Sequence, residues 1–173
     1  VQGYNWEAGV EEGIRSHLSS FTNKVFQITI GQEYCSVNLY DKKTTVEKVF
    51  DRVKPGVVLG LGDSSVDISF LSLKPAGVDY RPYYLGRPED IDPASGIIIP
   101  ANGRINSEAA YLILKEAVEK HERGEELLSA IIADVDNTLT AVDMPMEPKM
   151  ADLLSRAMVR GVSIHLITGG IPK

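Results

Sequence analysis

The sequence has a single cysteine, Cys35, so no disulfide can form within the chain, and its framework must rest on a packed core. That usage suits a reducing compartment. There is no excess of basic residues; the formal net charge is −6, which argues against nucleic-acid binding through a basic surface. No apolar run approaches the roughly 18 residues of a membrane span. No signal-peptide pattern opens the sequence, so a cytoplasmic setting is expected. Internal repeats and low-complexity tracts are absent. The three histidines, His17, His121 and His165, show no metal-ligand spacing. His165 lies in an apolar run, which suits a packed residue. What is left is 173 residues of ordinary globular composition, enough for one sizeable core.

Within that chain, residues 131–140 stand out: Ile-Ile-Ala-Asp-Val-Asp-Asn-Thr-Leu-Thr. An apolar run delivers two carboxylates, Asp134 and Asp136, into a polar turn. In a strand, residues i and i+2 point to the same side, so both carboxylates are expected to face one small space. Like charges held that close need a shared proton or a cation between them. A hard cation such as Mg²⁺ takes oxygen ligands and keeps waters that phosphate can replace.

Two other apolar runs end in polar turns. Val57–Leu61 leads into Gly62-Asp63-Ser64-Ser65-Val66-Asp67, and Val162–Ile167 leads into Thr168-Gly169-Gly170. A helix start rich in lysine, Asp41-Lys42-Lys43-Thr44-Thr45, precedes the first. Ligands in open α/β sheets bind beyond the carboxyl ends of strands, so the three turns are expected to meet at one site.

A coarse reading gives a helix over 7–20 and two strands over 24–40 turning at Gly31-Gln32. A helix over 44–53, a strand over 57–61 and a short helix over 66–72 come next. Residues 73–106 read as a connection rich in Pro and Gly, with Tyr80, Tyr83 and Tyr84 and one short apolar run at 97–99. A helix over 107–127, a strand over 130–135, a helix over 147–160 and a strand over 162–167 complete the chain. Helices alternating with apolar strands indicate a parallel α/β sheet.

The turns resemble the motifs of the haloacid dehalogenase superfamily, mostly Mg²⁺-dependent phosphohydrolases. Asp134-Val135-Asp136-Asn137-Thr138 looks like its first motif, Asp-x-Asp-x-Thr, Thr168 like the second, Lys42 like the third, and Gly62-Asp63 with Asp67 like the fourth. The closest likeness is to small-molecule phosphatases with an inserted α/β cap, such as archaeal phosphoglycolate phosphatases. The resemblance implies a Rossmann-like three-layer sandwich with a mostly parallel sheet at 41–173, and a partial cap-like helix and hairpin at 1–40. It implies Asp134 as nucleophile, Asp136 as general acid and base, and Thr168, Gly169 and Lys42 as phosphate-binding groups. Mg²⁺ would be held by Asp134, the backbone carbonyl of Asp136, and Asp63, with Asp67 in support. The expected partner is a small phosphorylated metabolite, with neither nucleic acid nor membrane, and with a homo-oligomer completing the cap or sheet edge.

Two departures from the pattern are visible. The motifs run third, fourth, first, second, which reads as a circular permutation; a fragment or a junction of two domains is the alternative. Val66 stands where the fourth motif commonly carries asparagine, which removes a polar group near the metal. Both departures favour a second function class, a non-catalytic or incomplete domain serving binding or assembly. A third is phosphotransfer to an acceptor other than water.

Overall fold

The computed structural model describes residues 42–53, 56–100, 106–141 and 144–168, the strand residues 27–30 and 35–38, and the single positions Gly13 and Ser16. The helix expected over 7–20 lies outside these apart from those two positions, and so does the turn at Gly31-Gln32. Strands β1 (Gln27–Ile30) and β2 (Cys35–Asn38) pair antiparallel, with Ile30 opposite Cys35.

The rest of the chain builds one sheet. In order come α1 (Lys42–Phe50), β3 (Val57–Gly62), α2 (Ile68–Leu71), β4 (Asp79–Tyr84), α3 (Asn106–Glu122), β5 (Leu128–Ala133), α4 (Pro148–Val159) and β6 (Ser163–Leu166). The four strands of this sheet lie in the order β4-β3-β5-β6, and every pair is parallel. The fold is therefore α/β and Rossmann-like. The two middle strands, VVLGLG and LSAIIA, are buried at every position. A parallel strand covered on both faces requires such unbroken apolar runs.

Alternate residues of β3 separate two cores. Val57, Leu59 and Leu61 pack with Ala110, Leu114 and Val118 of α3 and with Met150, Leu153, Leu154 and Ala157 of α4. Val58 packs with Val46 of α1 and with Phe70 and Leu71 of α2. The result is a three-layer sandwich. Burial of each large apolar side chain contributes about 1.5–3 kcal/mol, which is how a helix as short as α2 is held in place. In α4 the buried positions recur at i, i+3, i+4 and i+7, the stripe of an amphipathic helix, and Pro148 opens it at a position with no helical N–H to lose. Among the described residues no helix is long and apolar enough to cross a membrane.

One element departs from the sequence reading. Residues 79–84, expected within a connection, form β4 and run the length of β3. Tyrosines and Pro82 hid it. Pro82 is tolerated because β4 has only an isolated bridge on its outer side: the Pro82 carbonyl accepts from Ile98 N–H at 2.8 Å, and proline's missing donor faces that edge. The apolar run at 97–99 contributes this bridge rather than a strand of its own.

The connections define a crevice. From β3 the chain steps outward to β4 through α2 on one face. From β5 it steps outward the other way to β6 through α4 on the opposite face. A uniform crossover hand demands that direction and face reverse together. The carboxyl ends of β3 and β5, adjacent in the middle of the sheet, thus form the switch point at which such sheets bind ligands.

Candidate functional site

Four charged groups meet at that switch point. The loop leaving β3 carries Asp63 and Asp67, the loop leaving β5 begins at Asp134, and α1 begins at Lys42. Asp63, Asp67 and Asp134 each present a carboxylate oxygen within 4.8 Å of the other two. The Asp134 N–H donates to the Leu61 carbonyl at 3.0 Å, which ties the start of the β5 loop to β3; on the other side, the Leu85 N–H past β4 donates to the Gly62 carbonyl at 2.8 Å.

Each side chain is held by specific contacts. Lys42 donates from Nζ to Asp67 Oδ1 at 2.6 Å and to Asp134 Oδ1. Thr138, fully buried, donates to Asp63 Oδ1 at 3.0 Å. Asp67 is fully buried at the start of α2, yet its carboxylate does not cap that helix. It turns back on its own loop and accepts from Asp63 N–H, Ser64 N–H and the Ser64 hydroxyl. Gly62 makes this possible, since a Cβ there would lie 2.4 Å from Asp67 Cβ. Gly60, two residues back on the same face, likewise leaves room for the Tyr80 ring. In the β5 loop, Asn137 adopts a left-handed conformation, and the N–H groups of Leu139 and Thr140 converge on the Val135 carbonyl. That turn brings Thr138 under Asp63.

The electrostatics follow from burial. Desolvation, reinforced by the neighbouring Asp67 charge and opposed by the Lys42 bond, pushes Asp134 up to about 6. Asp63 is raised as well, mainly by burial, with Asp67 adding to the effect and the Thr138 hydrogen bond opposing it. Burial pulls the Lys42 ammonium down, but Asp67 and Asp134 together outweigh it and leave Lys42 raised. Three carboxylates and one ammonium sum to −3 + 1 = −2 when all are ionised. One divalent cation balances that charge. The donors are all oxygen, a set that suits a hard divalent cation rather than a thiolate- or imidazole-seeking metal.

Not every expected residue joins the cluster. β5 ends at Ala133, so Asp134 already lies beyond the strand and the i, i+2 rule does not carry to Asp136. Asp136 is exposed on the loop and stands outside the group of three carboxylates. Thr168 is exposed just past β6, whose extension is fixed by Ile167 N–H donating to the Ala133 carbonyl at 2.9 Å. Gly169 lies outside the described residues. Sequence reasoning overlooked Ser64 as a partner of Asp67 and did not assign Thr138 to Asp63. A short polar residue directly after an aspartate in a turn was the available signal for Ser64.

The chain matches no family model, no curated protein and no solved structure.

Proposed function

We propose that this chain is a Mg²⁺-dependent phosphohydrolase of the haloacid dehalogenase type, acting on a small phosphorylated metabolite. The observation that carries the reading is the convergence of Lys42, Asp63, Asp67 and Asp134 at the switch point of a parallel sheet, with an excess charge of −2. These residues come from three separate segments, and no stability argument calls for three carboxylates in so small a space.

In this reading Asp63, Asp67 and Asp134 hold the cation together with the backbone carbonyl of Asp136. When bound, Mg²⁺ supplies positive charge for the phosphoryl oxygens. Asp134 attacks phosphorus; a bond forms to its carboxylate oxygen as the bond to the leaving oxygen breaks. Asp136, on the exposed loop, gives its proton to that leaving oxygen. It then takes a proton from the water that cleaves the aspartyl-phosphate and releases inorganic phosphate. Lys42 steadies the Asp134 carboxylate and offsets charge on the transferring group. Thr168 holds a phosphate oxygen, and Thr138 keeps Asp63 turned toward the cation.

A second reading is a binding or assembly domain in which the cluster is only an ion-pair network. It is favoured by the way Lys42 already satisfies two of the three carboxylates. Phosphate release from an aryl phosphate separates the two. Turnover that needs Mg²⁺, stops with chelator and is lost in Asp134→Asn is expected; a folded chain with no turnover would refute the hydrolase.

A further inference from the structure

Asp67 is held more tightly than the other carboxylates of the site. Its Oδ2 accepts from three donors: Asp63 N–H at 3.1 Å, Ser64 N–H at 3.0 Å and the Ser64 hydroxyl at 2.8 Å. A carboxylate oxygen offers about two lone-pair directions, so three donors fill it. Only Oδ1 remains toward the cluster, 2.6 Å from the Lys42 ammonium. The side chain is fully buried and its Cβ sits against Gly62. Val66 offers no polar side chain, and its carbonyl is taken by the Ser69 hydroxyl at 3.0 Å. Ser64 therefore supplies the one side-chain donor to Asp67 Oδ2 among the described residues.

We infer that Ser64 is a positioning residue: its hydroxyl locks Asp67 Oδ2 so that Asp67 presents a single oxygen, Oδ1, to the cation. The inference rests on the metal reading above. A carboxylate limited to one oxygen leaves coordination places to water and to phosphate, as Mg²⁺ requires.

The test is calorimetric titration of Mg²⁺ into the chelator-treated chain, with Ser64→Ala, Ser64→Thr and, as a control, Ser65→Ala at the exposed neighbour. Loss of an outer-shell hydrogen bond of this kind weakens metal binding by roughly 10- to 100-fold. That loss is expected for Ser64→Ala, with near-native affinity for Ser64→Thr, which keeps the hydroxyl, and for Ser65→Ala. If alanine at 64 prevents folding, Ser64→Cys keeps the shape, weakens the donor and is expected to show the same direction of loss. Wild-type affinity in a folded Ser64→Ala or Ser64→Cys chain would overturn the role and leave the metal reading standing. No Mg²⁺ binding by the wild-type chain would overturn that reading and the role with it.

Discussion

Neutralising one carboxylate of the cluster separates a metal site from a structural ion-pair network by the sign of its effect on stability. Asp63→Asn is the cleanest change, because asparagine keeps the shape and still accepts the Thr138 hydroxyl. Asp63 faces two like charges, Asp67 and Asp134, within 4.8 Å. At an effective dielectric of about 20, each such pair repels by about 3 kcal/mol. Attraction to Lys42 offsets roughly one of the two. Solvent screening of a half-buried group reduces the remainder to about 1–2 kcal/mol. Without metal the variant is therefore expected to be more stable than the parent, by roughly 3–6 °C in melting temperature for a chain of this size. With Mg²⁺ at a hundred times its dissociation constant, the parent gains about 2.7 kcal/mol, and the variant gains little. The two proteins should exchange rank between chelator and Mg²⁺ in a thermal melt followed by circular dichroism. A variant less stable than the parent in chelator would refute the reasoning and make Asp63 a structural partner.

Two further outcomes are expected. Gly62→Ala places a methyl group 2.4 Å from Asp67 Cβ, so it should cost about 1–3 kcal/mol or more in urea denaturation and displace Asp67 from the cluster; an unchanged midpoint would mean that the loop yields freely. Burial holds the His165 imidazole below its ordinary value, and among the described residues its enclosed Nε2 has no hydrogen-bond partner. The unfolded chain then binds more protons, so the His165 contribution is intact above about pH 6.5 and is lost as pH falls through the folded-state value. Asp134 works in the opposite sense: its raised folded value makes the metal-free chain lose stability as pH rises from about 4 toward 6. Comparing the parent with His165→Leu at pH 5 and 7.5 isolates the first effect. The variant should gain on the parent at pH 5, and a difference independent of pH would count against a half-buried imidazole that resists protonation in the folded chain.

Much of this architecture was legible because the middle of a parallel sheet leaves the sequence little choice. Val57–Leu61 and the run before Asp134 are apolar at nearly every position, and α4 carries its buried residues at helical spacing. β4 was not legible: its tyrosines and Pro82 fit an edge, where one side of the strand needs no ladder partner. The cluster itself was half legible. Asp63, Asp67, Asp134 and Lys42 were singled out, and the structure brings them together. The pairing of Asp134 with Asp136 failed because the strand ends two residues earlier than expected, at Ala133, and with it the alternation on which the pairing depended. Ser64 escaped notice because its partner is defined by the path of a turn, which a pattern of residue types does not specify.

The middle pair of strands also bears on when this site comes into being. Lys42, Asp63 and Asp67 belong to the first αβ unit, and Asp134 belongs to the second, reached only after α3 has crossed over β3. The β3–β5 ladder joins residues some 70 positions apart, a non-local contact of the kind that forms slowly because a long loop must close first. Until that ladder zips, the fourth charged group is missing. Assembly of the cluster and closure of the sheet are thus one kinetic event, and a nascent chain still short of β5 exposes the Asp63 and Asp67 loop without Asp134.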